Sequence, residues 1–308
     1  MKIAIIGAGV TGLGSALALS EVADVHLFEQ DNRFGGHANT ATIDYDGDEV
    51  KVDTGFIVFN DVNYPNLCAL FDHLGVPSET SDMSFGVSLD EGRFEFACDN
   101  LDTVFAQRWR VLDPMHWWGF RELMRFYKRS LAALETGELR DNSLGQWLDE
   151  LRMPRYVRDR FLLPMGGAIW STPQADLEAF TAQAFVQFFK NHALLNGFGR
   201  VITWRTVSGG SQVYVRKALQ ALGPRAQAGV AARRVDRLAS GKVRVGFSDG
   251  SEGVFDHVIM ATHPDQALSV LREPLEREAQ LLGAVRYRPN TAVLHRDPAL
   301  MPKRRNAW

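Results

Sequence analysis

The residues best placed to do chemistry stand near the N-terminus. Gly7-Ala8-Gly9-Val10-Thr11-Gly12 follows the apolar run Ile3–Ile6 and opens a stretch of small and apolar residues at helical spacing. Glycine at position 7 permits a tight turn, glycine at 9 lets backbone N–H groups approach a pyrophosphate, and glycine at 12 lets a helix pack closely on a strand. The N-terminus of that helix adds partial positive charge where the diphosphate would lie. Glu29-Gln30 ends the next apolar run. An acid there accepts hydrogen bonds from ribose hydroxyls and repels a 2′-phosphate, which disfavours NADP. Arg33-Phe34-Gly35-Gly36-His37 follows almost at once. Two glycines beside an arginine suit a second close approach to phosphate, an element that simple NAD-binding proteins do not need and that points to FAD.

These residues must be held by strand, turn and helix. Ile3–Ile6 has the fully apolar character of a parallel strand, Gly12 to Ala23 reads as a helix and Val25 to Glu29 as a second strand. Asp46-Gly47 between Thr42–Tyr45 and Val50–Val52 signals a two-residue hairpin. Tyr64 to Leu74 predicts a helix with Leu67, Leu70, Phe71 and Leu74 on one face and Gly75 as its stop. Further helices are predicted at Pro114 to Leu134, Ser143 to Leu151, Thr181 to Leu195 and Val213 to Leu222. Strand character returns at Val243–Phe247 and in the run Val254 to Met260, with Asp249-Gly250 as the turn between them.

Residues 105 to 204 hold just over half of the aromatic side chains, Trp109, Trp117, Trp118, Trp147, Trp170 and Trp204 among them. Two readings stand side by side: an ordinary helical core, or rings that also line an apolar substrate cavity.

The run Gly7-x-Gly9-x-x-Gly12, Glu29 and Arg33-x-Gly35-Gly36 resembles the flavin-containing amine oxidase superfamily, which includes protoporphyrinogen oxidases and phytoene desaturases. Ser208-Gly209-Gly210-Ser211 is similar to the family's segment before its second adenine-side strand. The strand around Ala232, ending in Val235, resembles the one whose backbone meets adenine. Asp256–Met260 running into Ala261-Thr262 resembles a buried strand and turn near the cofactor. A narrower likeness comes from Gly36–Thr40, Val52–Asn60, Leu163-Pro164-Met165 with Ala168–Ser171, and Phe188–His192. These look like bacterial FAD-dependent oxidoreductases linked to cyclopropane and methylated fatty-acid metabolism.

The resemblance implies an α/β fold in which a Rossmann-type FAD-binding domain (1–75 and 205–265) carries an inserted, mostly helical α+β substrate domain (76–204 and 266–308). It implies an FAD-dependent desaturase or dehydrogenase that transfers hydride from an apolar, fatty-acyl-like substrate to flavin. Such chemistry asks the protein chiefly to hold a C–H bond against the ring and to exclude water. His37, Asn39 and Thr40 are expected where the chain runs toward the flavin, and Gly55 and Phe56 resemble another flavin-facing turn. His37 and His192 are the candidate catalytic residues, with His263 as a further proton carrier, although a lone histidine serves as readily in packing. Asp53 either balances charge near the flavin or caps a turn. The superfamily closes with a Gly-Asp segment and a helix over the cofactor; none precedes Trp308, so the chain is expected to be part of a longer protein or to need a partner subunit. Amine oxidation and a non-catalytic flavin-binding module remain open as alternatives.

Composition narrows the partners. Lys and Arg number 34 against 37 Asp and Glu; no concentrated basic field announces nucleic acid. Cys68 and Cys98 form no disulfide framework, and neither they nor His116 and His192 have metal-ligand spacing. A reduced, cytoplasmic setting follows, since the glycines within the uncharged stretch Ile3 to Ser20 argue against an export signal. Trp117-Trp118 beside Arg121, Arg125, Lys128 and Arg129 marks either a peripheral contact with the inner membrane face or a solvated basic helix side with its tryptophans buried.

Overall fold

Strand β1 (Lys2–Ile6) lies at the centre of a parallel sheet because its apolar residues feed two cores at once. Ile3 and Ile5 pack with helix residues such as Leu13 and Val215, while Ala4 and Ile6 pack with Phe28, Val245 and Phe247. That division is the period-two alternation of a strand covered on both faces. Helix α1 (Val10–Ser20) follows, then β2 (Asp24–Phe28), which pairs in parallel with β1. The four-stranded sheet runs in the order His257–Met260, β1, β2, Ala226–Gln227. A three-stranded antiparallel sheet, Ala232–Arg237 with Val243–Phe247 and Glu252–Phe255, adds Val235, Val245 and Phe247 to the second core.

The computed structural model describes residues 1–98, 100–195 and 202–308. It divides into one unit of Met1–Phe59, Tyr64–Ser81 and Arg205–Leu294, and another of Asn60–Asn63, Asp82–Trp204 and His295–Trp308. Sequence placed everything from 266 onward in the substrate domain. The structure instead puts 266–294 with the first unit, because helix Pro264–Val270 leaves the central sheet through the Ala261–Thr262 turn and packs on strand Ala232–Arg237. Residues 76–81 join that unit too, since Ser78–Thr80 pairs with Arg205–Val207.

Local signals held well in the first unit. Strands β3 (Thr40–Tyr45) and β4 (Asp48–Asp53) form the expected hairpin, with Asp46 at φ 58° and Gly47 at φ 99°, the two positive angles a type I′ turn requires. Helix α2 (Pro65–Leu74) ends at Gly75 in the left-handed conformation. The run Val254 to Met260 is two strands rather than one. Asp256 breaks it by accepting hydrogen bonds from the Lys2 N–H (2.7 Å) and Lys242 Nζ (2.8 Å), so Glu252–Phe255 stays antiparallel while His257–Met260 joins β1 in parallel.

The second unit is mostly helical and includes a small hairpin, Gly86–Leu89 with Phe94–Ala97. Its long helix, Pro114–Thr136, starts at an Asp113 cap and ends at Gly137. Leu144–Glu150 begins with a Ser143/Gln146 capping box, and Ala182–Asn191 is shorter than the stretch predicted. Phe94, Phe96, Phe126, Trp147, Phe161, Phe185 and Phe189 are fully buried, and Trp147 Nε1 donates to Ser130 Oγ at 2.9 Å. The basic side of this helix is solvent-facing, with Arg121 and Arg125 paired to Glu122, but Trp117 is 45% exposed rather than buried. No described helix is long and apolar enough to cross a membrane.

Candidate functional site

Three main-chain turns meet at the C-terminal ends of the parallel strands, the position where open α/β sheets bind ligands. The turn after β1 is held by hydrogen bonds from the Gly7 N–H to Phe28 O (2.8 Å) and from the Ala261 N–H to Ile6 O (2.8 Å). Gly7 takes φ 98°, and a Cβ there would meet Ala261 O at 2.7 Å. A Cβ on Gly12 would sit 1.8 Å from Gly7 O, so the helix reaches the strand only through glycine. The second turn is tied to the first by the Gly35 N–H bond to Ala8 O at 2.9 Å. The third is Ala261–Thr262.

Between them lies a crevice of about 840 Å³, within the range of cofactor pockets. It is lined by Gly7, Gly9, Val10, Thr11, Glu29, Gln30, Arg33, Gly35, Gly36, His37, Phe56, Ala232, Ala261 and Thr262, all of them expected from sequence. Helix α1 starts at Gly9 with no side chain capping its first turn and no acid in it. Among the described residues no side chain therefore supplies its first N–H groups with the partners that helix starts require. A Cβ on Gly9 would meet nothing within 4 Å, so space is open on that side. Orphan donors, a positive dipole end and an open approach fit a dinucleotide diphosphate.

Other expected residues work behind the wall. Gly55 does not line the crevice; a Cβ there would meet His37 O at 2.2 Å, so glycine lets the Phe56 turn close on His37. Arg33 lines the crevice, but its guanidinium donates to Gly36 O (2.9 Å) and Ala38 O (3.1 Å) and so shapes the second turn. Glu29 is 8% exposed and accepts from the Ala8 N–H (2.8 Å) and the Asp31 N–H (3.0 Å). Each of its oxygens keeps a further lone pair for a ligand hydroxyl. Asp53 takes the capping role: it accepts from the Ser211 N–H (3.0 Å), Ser211 Oγ (2.7 Å) and Thr40 Oγ1 (2.6 Å). That joins the hairpin to the start of helix Gln212–Leu222, whose Gln212 donates to Ala38 O.

Sequence reading missed Tyr64, Leu67, Tyr214, Val230, Arg233 and Gln266, which also line the crevice. Arg233 sits beside the expected Ala232, but Tyr214 is one apolar-face residue of a helix and carries no signal of its own. Burial pushes the Tyr214 phenol up to about 12, with Asp53 adding to the shift, so it stays a neutral hydroxyl at pH 7. His37 is exposed and lies 5.9 Å from the His263 ring, which stacks on Tyr287 at 4.1 Å.

His192 belongs to the helical unit. Its ring lies between Phe188 (3.9 Å) and Trp204 (5.9 Å), and Nδ1 hydrogen-bonds Phe188 O at 2.9 Å. It borders an apolar cavity of about 290 Å³ whose walls include Phe85, Phe96, Leu123, Met124, Phe161 and Met165. No carboxylate lines that cavity among the described residues.

The sequence model of the flavin containing amine oxidoreductase family matches residues 10–298. The 15-cis-phytoene desaturase of Arabidopsis thaliana is 28% identical over 181 residues, 55% of this chain and 31% of that protein. Putrescine oxidase is similar in structure with a TM-score of 0.70 and 21% identity, covering 92% of this chain and 63% of the oxidase. Cyclohexylamine oxidase from Brevibacterium oxydans gives a TM-score of 0.67 and 18% identity, covering 92% and 62%. A fatty acid isomerase from P. acnes gives a TM-score of 0.59 and 15% identity, covering 91% and 63%. The structural likenesses are likenesses of fold, and the chain spans less than two thirds of the length of each of these relatives. With the fingerprint, the acid at the end of β2 and the second glycine turn meeting in one crevice, and the family match running over nearly the whole sequence, the chain belongs to the flavin-containing amine oxidoreductase family.

Proposed function

We propose that this chain is the FAD-binding part of an oxidoreductase that dehydrogenates an apolar, fatty-acyl-like substrate. The observation that carries the cofactor half is the uncapped start of α1 facing an open crevice that also contains Glu29. When bound, FAD supplies a two-electron acceptor. The backbone N–H groups at Gly9 to Thr11 would hold its diphosphate, Glu29 its ribose, and the turns at Gly35–Gly36 and Ala261–Thr262 would close on it. Arg33 and Asp53 keep those turns in shape through the hydrogen bonds described above.

The substrate half rests on the cavity of the helical unit. Its walls are aromatic and aliphatic, and a charged ammonium there would lose its hydration with no carboxylate in return among the described residues. An uncharged chain loses nothing polar on entering. This favours an acyl-like substrate over the amines named for putrescine oxidase and cyclohexylamine oxidase.

The test is reconstitution followed by anaerobic reduction. The chain mixed with FAD should retain yellow protein after gel filtration. Glu29→Ala leaves the Ala8 and Asp31 N–H groups without their acceptor and should cost about 2 kcal/mol of stability. It should also weaken FAD binding by about tenfold or more through loss of a charge-assisted contact. Colourless wild-type protein, or unchanged FAD affinity in Glu29→Ala, rejects the cofactor reading. Bleaching of the flavin by amines and not by acyl chains rejects the substrate reading.

A further inference from the structure

We propose that the helical unit carries an oxyanion-binding site, for a carboxylate or phosphate group, at Arg93, Arg110, Arg160 and Tyr156. These four side chains line a cavity of about 490 Å³ together with Asp90 and Asp113. The proposal is independent of the flavin reading, since none of these residues touches the crevice.

Charge and geometry carry it. Three guanidiniums face two carboxylates, so the lining holds an excess of positive charge. The ion pairs within it are long: 3.4 Å from Arg110 to Asp113 and 3.6 Å from Arg160 to Asp90. Arg304, a further cation nearby, is already paired with the buried Glu95 at 2.9 Å. Arg110 is 7% exposed; apart from the long contact to Asp113, its donors reach Gln107 and Arg93 O, which are neutral acceptors. Arg110 and Arg160 both lie over the ring of Phe94, at 4.5 and 4.7 Å from its centroid. Stacking on one ring holds two like charges together without neutralising either. Burial lowers the Arg110 pKa from its usual value, and Arg160 and Arg304 lower it further while Tyr156 and Asp113 oppose them. A bound anion would relieve that strain on the charge.

The Tyr156 hydroxyl is shielded from solvent and has no hydrogen-bond partner among the described residues. A donor left this way costs about 1–3 kcal/mol unless something meets it. Its ring is held in place by Gly119, where a Cβ would approach Tyr156 to 2.6 Å. Arg160 sits on the π-helical turn Arg158–Leu162, a rare geometry that concentrates at functional sites. Planar guanidiniums that fork toward one point are the usual means of holding carboxylate or phosphate oxygens.

The test follows thermal unfolding of the full chain with sodium phosphate or sodium acetate, at ionic strength held constant with sodium chloride. Either anion should raise the melting temperature in a saturable way, by mass action on the folded state; which one does so separates a tetrahedral from a planar ligand. Arg160→Gln should weaken the apparent Kd by about tenfold. Tyr156→Phe should raise the melting temperature of the anion-free protein, by removing an unsatisfied donor, and reduce the anion response. The opposite signs distinguish binding from a purely structural role. A chloride-like response to both anions overturns the proposal, as does a wild-type anion response in Tyr156→Phe or in a folded Arg160→Gln.

Discussion

The crevice of the nucleotide-side unit and the cavity of the helical unit are made from different parts of the polypeptide. The crevice is main chain: three turns, an uncapped helix start and glycines whose missing Cβ atoms leave room. The cavity is side chain: rings and aliphatic groups whose shapes leave a gap about 290 Å³ in volume. A site of the first kind tolerates most side-chain changes and fails where a Cβ enters. A site of the second kind changes size with each ring.

The sharpest way to break this contrast is Gly12→Ala. One methyl group would lie 1.8 Å from a carbonyl oxygen of the β1 turn, which neither backbone can accommodate without moving. Stability measured by urea unfolding should fall by about 4 kcal/mol or more, a loss confined to a few mechanisms. A wild-type midpoint would mean that the turn is not fixed by this contact.

Phe161→Ala examines the other side of the comparison. The ring is 2% exposed, borders the cavity and packs on Phe96 at 4.9 Å. Its removal should cost about 3 kcal/mol and enlarge the cavity, so that bulkier apolar probes bind better in a fluorescence displacement assay. FAD retention should be unaltered; parallel loss of FAD would show that the two sites are not separately built.

The smallest expected effect concerns pH. Glu95 has no exposed side-chain surface and accepts from Ser88 Oγ (3.0 Å), the Lys303 N–H (2.6 Å) and Arg304 Nη1 (2.9 Å). Burial alone would raise its pKa, but those hydrogen bonds outweigh it and hold the carboxyl below the ordinary range. A pKa depressed by folding contributes stability that is complete above the unfolded value and is lost as pH falls through the folded one. Acid titration of unfolding should show this loss below the ordinary carboxylate range, and Glu95→Gln should flatten it. An identical acid limb in the variant would place the sensitivity elsewhere.

How much was legible follows the same division. The crevice could be read because each of its parts is a residue type with one steric meaning: Gly7 and Gly12 for contacts that exclude a Cβ, Glu29 for a strand-end acid. Asp46-Gly47, Gly75 and the Ser143/Gln146 box were legible for the same local reason. Arg33 was read for its charge, yet folding turned its donors onto Gly36 and Ala38 carbonyls, because in a tight turn those acceptors are nearest. Tyr214 and the Arg93/Arg110/Arg160/Tyr156 cluster gave no spacing to read, being brought together by packing of helices and a hairpin far apart in sequence.

The amino-acid sequence by itself determined the glycine turn after β1, the acid at the end of β2 and the nucleotide-binding fold around them, since these depend on backbone conformations that few residues permit. Only tertiary structure decided that Val254 to Met260 divides between two sheets, that 266–294 stays with the nucleotide-side unit, and which rings leave a cavity. Those outcomes depend on long-range pairing and on the summed fit of many interchangeable apolar side chains, which no short stretch of sequence encodes.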